Sequence, residues 1–311
     1  MALLKAQIDQ LLSNVSSKYV PEGFVCEQFM PMIQTAKYSG LLAKYGKNHL
    51  RIFNSLKGGE SKYKRVETRS SATDRYQIEG HGLEGLVTEE DYTNYEKPFD
   101  AERDETEGLT TSLYIEKEKL LADTVTDTAI VTQNTTLAGT SQFNDYANSN
   151  PLSVFNAARA AIRSGCGKIP DTATMDWAVF DMIRYHPELL DALGFKYDRP
   201  GGLGIEELAK ALGLRRLLVA DVMYNAAKEG QTDSLQSVWG KHIVLSVSPE
   251  KAAQNQVSFG YRIQLQGSQP RKVFKEAQFN PPGSTAILVE DKYDMFVANV
   301  EAAYLIKNAI A

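Results

Sequence analysis

The chain has 311 residues, of which 43% are hydrophobic, so it is long enough to bury a full core as one large domain or two modest ones. Its formal net charge of -5 argues against a protein whose main task is to bind nucleic acid, because such proteins are strongly basic. The two cysteines, Cys26 and Cys166, form no short motif. This excludes a cysteine zinc site and a disulfide framework, and favours a reducing compartment.

The first residues predict an amphipathic arm. Apolar residues recur there at helical spacing, at Leu3, Leu4, Ile8, Leu11 and Leu12. Charged and polar residues interrupt these apolar stretches, unlike in a signal peptide, and no window reaches the about 20 apolar residues that a membrane-spanning helix needs. We therefore expect a soluble protein that is not secreted and has no membrane partner.

A polar segment rich in strand-forming residues runs from Gly40 to Val87. Gly58 and Gly59 lie between two such runs, which predicts a long hairpin-like excursion. The segment has too few large apolar residues to form a core of its own. We therefore expect it to become ordered only against a partner.

Charge is sorted along this excursion and the segment that follows it. Cations crowd the excursion, at Lys57, Lys62, Lys64, Arg65, Arg69 and Arg75. Acidic residues follow, among them Glu102, Asp104, Glu105 and Glu107. The two runs are either solvated faces, the usual role of such runs, or complementary surfaces of two copies of the chain. The charge pattern alone leaves both open.

A long helix is predicted after Asp100, which is suited to cap its first turn. One apolar stripe follows at Leu109, Leu113, Leu120 (or Leu121) and Val125. Because glycine disfavours helix by about 1 kcal/mol relative to alanine, the helix could instead begin near Gly108.

The middle of the chain predicts a compact α/β unit. Asn150 and Pro151 open one helix, a second runs from Trp177 to Tyr185 and must end before Pro187, and others are predicted at 188–193 and after residue 204. Strands are predicted at "TATM", "LLVADV" and "HIVLSV", with a short helical stretch at "MYNAAKEG". From Val257 onward, alternation predicts a one-sided antiparallel sheet.

The glycines of "GGLG", which are Gly201, Gly202 and Gly204, do not form a phosphate-binding loop. A P-loop requires Lys and Ser or Thr after its last glycine, whereas Ile205 and two glutamates follow here. Those glutamates would also repel an anion at the start of the helix. The loop is therefore interpreted as a turn or hinge.

No catalytic, metal-binding or cofactor-binding constellation is found. The four histidines, His49, His81, His186 and His242, lack a paired spacing and are interpreted as packed or surface residues. Carboxylate pairs such as Glu89-Glu90 arise by chance in so acidic a chain, and no base can be named for Cys166. We predict a protein that is not an enzyme.

The order of these elements resembles the major capsid protein of tailed bacteriophages, whose fold is shared by encapsulin shells. The resemblance is strongest from about Phe24 to Pro249 and is carried by "YEKPFDAERDETEGLTTSLYIEKEKLLADTV", "TMDWAVFDMIRYHPELLDALGF", "GGLGIEELAKALGLRRLLVADVMYNAAKEG" and "GKHIVLSVSP". It implies an α+β fold. Carried over by position, residues 1–39 are the N-terminal arm, 40–90 the extended loop, 91–150 and 257–311 the peripheral domain with its spine helix, and 151–256 the axial domain.

The resemblance also implies a function. Copies of the chain would assemble through pentamers and hexamers into an icosahedral shell that encloses double-stranded DNA without sequence-specific binding. The extended loop would lie over a neighbouring subunit, and Gly201, Gly202 and Gly204 would lie near the capsomer axis. Scaffolding, portal and decoration proteins would be separate partners, and the shell would be assembled in the host bacterial cytoplasm and belong to the virion. The alternatives are an encapsulin-like compartment and a soluble enzyme built on residues 151–256.

Overall fold

The structure is a computed structural model that describes residues 7–45, 47–57, 62, 63, 65, 73–94, 100–194, 201–228, 230–253, 256–266, 271–277 and 283–311. Its helices are α1 Gln10–Lys18, α2 Cys26–Phe29, α3 Glu89–Asn94, α4 Ala101–Thr126, α5 Pro151–Cys166, α6 Trp177–Ile183, α7 Pro187–Ala192 and α8 Ile205–Ala211. Its strands are β1 Gln7–Ile8, β2 Met32–Thr35, β3 Ser39–Ala43, β4 Thr73–Gln77, β5 Glu79–Val87, β6 Asn134–Thr136, β7 Thr172–Asp176, β8 Arg216–Ala220, β9 Met223–Asn225, β10 Leu235–Ser237, β11 Ile243–Ser246, β12 Gly260–Leu265, β13 Arg271–Ala277, β14 Thr285–Val297 and β15 Ala303–Lys307.

A six-stranded sheet is built around the long strand β14. Strands β12 and β13 pair with one edge of β14 and β5 pairs with the other, all antiparallel. The short strands β1 and β2 extend the sheet beyond β13 and β12. Helices α1 and α4 pack on one face over Val273, Ile287 and Val289, because the alternating side chains of the strands give that face its apolar residues.

A five-stranded sheet, in the order β6-β15-β11-β7-β8, forms the second layer. Strands β7 and β11 are buried along their whole length, as their short apolar sequences predict. Helix α5 begins at the cap Asn150, whose side chain accepts a hydrogen bond from the Ser153 backbone, and ends at Gly167 in the left-handed conformation. The C-terminal strand β15 lies in this second sheet, so the closing segment contributes to both sheets.

The predicted long helix is confirmed as α4. Asp100 accepts a hydrogen bond from the backbone of Glu102 at 3.1 Å, so the helix begins before Gly108 rather than after it. Its buried apolar stripe passes through Leu121, whereas Leu120 is 43% exposed. No helix of the described residues is long and apolar enough to span a bilayer.

Two local predictions are wrong. The helical spacing before Leu12 does not produce a continuous helix, because Ile8 pairs with β13 and Asp9 caps a helix that starts only at Gln10. The stretch "MYNAAKEG" contains strand β9, which pairs with β10. There the Asn225 side chain accepts hydrogen bonds from the backbones of Ala227 and Ser234, which holds a turn where a helix was expected.

A buried carboxyl group joins helix α4 to the rest of the molecule. The Glu118 carboxyl oxygens accept hydrogen bonds from the indole of Trp239 at 2.6 Å and from the backbones of Cys26 at 2.8 Å and Val25 at 3.2 Å. Burial raises the pKa of Glu118, and these donors oppose the rise. The group thereby connects α4, the start of α2 and the segment after β10.

We expect Glu118→Gln to lower the free energy of unfolding by about 1–3 kcal/mol, because the amide would turn an NH2 group toward donors that need an acceptor. Urea unfolding of the unassembled chain measures this change. Glu116→Gln is the control, since Glu116 lies on the same helix with a side chain 54% exposed and should change stability by less than about 1 kcal/mol. Equal effects of the two substitutions would contradict this role of Glu118.

Candidate intersubunit surfaces

The excursion leaves the body as a two-stranded ribbon. Strands β3 and β4 pair antiparallel, which confirms a hairpin at its base. The ribbon is fixed because Tyr76 and Ile78 are buried against Tyr261, Ile263 and Phe296 on the face of the large sheet opposite α4. The base of the excursion is therefore part of the folded subunit.

Beyond its base, the excursion exposes large apolar side chains. Residues 51–57 are all exposed, and Ile52 is 99% and Leu56 is 92% accessible to solvent. Leu50 lies against Gly167 at the end of α5. Burying an aliphatic side chain such as Ile52 is worth about 1.5–3 kcal/mol, so a partner that covers this stretch gains stability from it.

Four of the six predicted cations are described by the structure, and all four are exposed. Lys57 places its ammonium 4.0 Å from the centre of the Tyr63 ring, a cation–π contact within the excursion. Lys62, Arg65 and Arg75 are exposed. The remaining two predicted cations, Lys64 and Arg69, lie outside the described residues.

Two of the predicted acidic residues already have cationic partners in the same chain. Glu102 contacts the Lys275 ammonium, and Glu107 accepts a hydrogen bond from Arg103 at 2.7 Å. Asp104 is exposed at the start of α4, and the carboxylate of Glu105 lies over β5. The four acidic residues therefore lie on the first two turns of α4 without sharing one face, because residues two apart on a helix do not face each other. An incoming cation would also have to compete with Lys275 and Arg103.

The glycine loop is a backbone turn ahead of α8. Gly201 has a φ of +84° and Gly202 a φ of +63°, conformations that disfavour other residues. A Cβ on Gly202 would lie 2.9 Å from the Tyr185 ring, whereas one on Gly201 would meet nothing within 4 Å. The Gly204 backbone donates to Glu207 at 2.9 Å, so a carboxylate of the chain itself occupies the start of the helix.

A second charged network, which no sequence pattern indicated, holds the N-terminal segment in place. Lys117 of α4 lies 3.1 Å from Asp291 of β14, and Arg262 of β12 lies 2.6 Å from Glu27 of α2. Burial alone would raise the pKa of Glu27, but Arg262 and Lys117 lower it. Arg271 of β13 donates to the backbone oxygen of Ser16 at 2.7 Å.

The histidines whose side chains are described lie in structural positions. His186 caps α7 through its Nδ1 atom and lies 3.0 Å from Ser149, and burial lowers its pKa. His242 accepts a hydrogen bond from the Asn308 backbone, and His81 contacts Glu116. Within the described ranges, no group of three His, Cys, Asp or Glu residues could hold a metal ion.

Comparison with known proteins gives a consistent assignment. No family model matches the chain. The major capsid protein of Burkholderia phage BcepMu is 23% identical over 269 residues, which cover 84% of each chain. That of Pseudomonas phage JBD67 is 24% identical over 309 residues, covering 98% of this chain and 97% of its own.

Solved structures share the fold over nearly the whole chain. A phage-related protein from Bordetella bronchiseptica RB50 has a TM-score of 0.75 at 22% identity and covers 98% of each chain. The capsid of cyanophage P-SCSP1u and an encapsulin from Synechococcus elongatus each have a TM-score of 0.53, covering 89% and 99% of this chain and 85% and 92% of their own chains, at 11% identity. The predicted α+β capsid fold is confirmed: the chain is similar in sequence to phage major capsid proteins and shares the fold of capsid shell proteins.

Proposed function

We propose that the chain is the major capsid protein of a tailed bacteriophage and that its copies assemble through pentamers and hexamers into an icosahedral shell around double-stranded DNA. The observation that carries the proposal is the excursion, whose base is packed on the subunit while Ile52 and Leu56 beyond it are almost fully exposed. Such a segment is stabilised when further copies cover it. The names of the relatives support the same role.

The proposal extends to partners and location. The role is structural rather than enzymatic, because the relatives are capsid proteins and the buried polar groups described above hold elements of the chain together. Scaffolding, portal and decoration functions are assigned to separate proteins. Assembly takes place in the host bacterial cytoplasm, and the finished shell belongs to the virion. DNA is enclosed without sequence-specific recognition, as the acidic net charge favours.

The proposed domain division only partly matches the two sheets. We propose four units that move as rigid bodies: the arm (1–39), the extended loop (40–90), the peripheral domain (91–150 and 257–311) and the axial domain (151–256). Strand β5 belongs to the proposed extended loop but lies within the large sheet. Strand β15 belongs to the proposed peripheral domain but lies within the five-stranded sheet. These strands connect the proposed units, so we expect the units to move together in the assembled shell.

The full-length chain should form closed particles of megadalton mass, visible by negative-stain electron microscopy and eluting in the void volume of a gel-filtration column. Particles recovered from phage-producing cells should contain DNA that is protected from nuclease. Protein cargo in place of DNA would support the encapsulin-like alternative. A chain that stays monomeric at high concentration would overturn the shell proposal and favour the soluble enzyme.

We propose that the excursion cations Lys57, Lys62, Lys64, Arg65, Arg69 and Arg75 contact the acidic group Glu102, Asp104, Glu105 and Glu107 of a neighbouring subunit. Lys62→Glu combined with Arg65→Glu should then reduce the yield of assembled particles about tenfold, because like charges would oppose each other across the contact. Circular dichroism should show a folded chain, since both side chains are exposed. Particle yield is measured by sedimentation.

Two further variants make this test specific. Lys228→Glu combined with Lys241→Glu changes the net charge equally at exposed cations elsewhere and should assemble normally. Asp104→Lys added to the excursion variant should restore part of the yield if the two surfaces meet. Normal assembly of the excursion variant would contradict the proposed pairing of the two surfaces.

We also propose that Gly201, Gly202 and Gly204 lie near capsomer axes, where one sequence must fit two local symmetries. Gly202→Ala should destabilise the subunit more than Gly201→Ala, because only the former combines a positive φ with contact to Tyr185. The strain from φ alone is about 1–2 kcal/mol. Urea unfolding measures the difference. Gly201→Ala is therefore the better variant for testing the placement near the axis, because its Cβ meets no neighbouring atom within the subunit. A normal ratio of pentamers to hexamers in this variant would argue against that placement.

A further inference from the structure

An acid-free stretch surrounds helix α5. Asp and Glu make up 39 of the 311 residues, about one in eight. Residues 146–170 nevertheless contain no acidic residue, while they carry the cations Arg159, Arg163 and Lys168. In a chain with a net charge of -5 this stretch is locally positive, so its surface is expected to attract anions.

Helical spacing places two of these cations on one strip of the surface. Arg159 and Arg163 are four residues apart on α5, and side chains so spaced are neighbours about 5–6 Å apart. The buried side of the helix is apolar and includes Phe155 and Ile162. The remaining exposed positions are small or polar, at Ser153, Asn156, Ala157, Ala160 and Ser164.

Part of this surface lines an open groove whose volume falls within the range of about 300–1,000 Å³ that is typical of ligand sites. The groove beside α5 measures 600 Å³ and is lined by Asn156, Arg159, Ala160, Arg163, Ser164 and Ile169. Alanine at its floor leaves room for a ligand to approach the helix closely. The polar groups that border it are two guanidinium groups, an amide and a hydroxyl, which all donate hydrogen bonds.

The charges of the two arginines are not neutralised by carboxylates within the described part of the chain. Neither guanidinium has an Asp or Glu oxygen within 4.0 Å there. Arg159 lies over Gly213 and donates a long hydrogen bond of 3.5 Å to the Leu212 carbonyl at the end of α8. This contact orients the guanidinium beside the groove while leaving most of its donors available.

We propose that this groove contacts the phosphodiester backbone of the enclosed double-stranded DNA, with Arg159 and Arg163 each contacting a phosphate and Asn156 and Ser164 donating to the backbone. Guanidinium, amide and hydroxyl donors are the groups that bind phosphate oxygens without reading sequence. The groove would form a sparse contact on the shell's inner surface. This inference rests on the proposed function, because it requires that the shell encloses DNA.

Salt dependence of DNA binding tests the proposal. The full chain is purified in its unassembled form and titrated with a fluorescently labelled DNA duplex of mixed sequence at several salt concentrations. Each phosphate contact contributes about 0.9 to the slope of log affinity against log salt. Arg159→Gln combined with Arg163→Gln should therefore reduce the slope by about 1.8 and weaken binding at low salt.

A matched variant controls for net charge. Lys228→Gln combined with Lys241→Gln removes two exposed cations outside the groove and should leave the slope within about 0.5 of the unmodified chain. Circular dichroism and urea unfolding confirm that both variants are folded. An unchanged slope in the arginine variant, or an equal drop in the lysine control, would overturn the groove assignment.

Particle formation separates this proposal from the proposed function. If the unmodified chain forms shells but binds no duplex, the groove proposal is wrong and the shell proposal stands. If the arginine variant binds DNA normally but fails to form shells, the groove is a contact between subunits and the proposal is again overturned. If the unmodified chain forms no particles at all, the proposed function itself fails.

Discussion

The structure depends on the burial of two charged residues in the middle of one long helix. Lys117 and Glu118 lie side by side on α4, almost fully buried, and each must find its partners inside the protein because an unpaired buried charge is strongly destabilising. Lys117 finds Asp291 on the large sheet. Glu118 finds Trp239 and the backbone at Cys26. The helix is thereby held to the large sheet, to the segment between β10 and β11 and to the N-terminal segment.

This arrangement divides the chain into a fixed body and an exposed excursion. In the body, the ion pair of Arg262 with Glu27 and the hydrogen bonds from Arg271 to the backbone of α1 hold the same segments. Among its described residues, the excursion has no comparable buried ion pair beyond its ribbon. It makes a few contacts near its root, such as Lys47 with Glu301 at 2.9 Å, and then exposes Ile52 and Leu56. In the proposed shell, neighbouring copies would cover these exposed side chains and stabilise the segment.

Sequence patterns predicted the elements whose signals are local. Asp100 and Asn150 act as caps where they were expected, and the buried strands β7 and β11 follow from short apolar runs. Patterns failed where pairing partners decide the outcome, as at β9, which is a strand because β10 lies beside it. They also missed the roles of Lys117 and Glu118, since "EKEK" looks like a solvated helix face until distant residues supply the partners. The proposed surface contacts were predictable only as charge patterns, because the surfaces of a second copy are not encoded locally.

The acidic net charge and the proposed cationic groove are both compatible with a shell that must take up DNA and later release it. A wall covered in cations would bind DNA tightly through counterion release and would oppose both its entry and its exit. A wall that lacks cations would leave the packed DNA repelled everywhere by an acidic shell. The proposed contact of two arginines per subunit would be weak by itself, but it would be repeated on every copy, so its effect would grow with the number of copies that engage the same DNA. The same reasoning applies to the proposed contacts of the excursion. Each excursion would need only modest apolar and charged contacts, because the neighbouring subunits of the shell would hold it in position. Strength in such an assembly therefore comes from repetition, and the single chain can remain marginal at each surface.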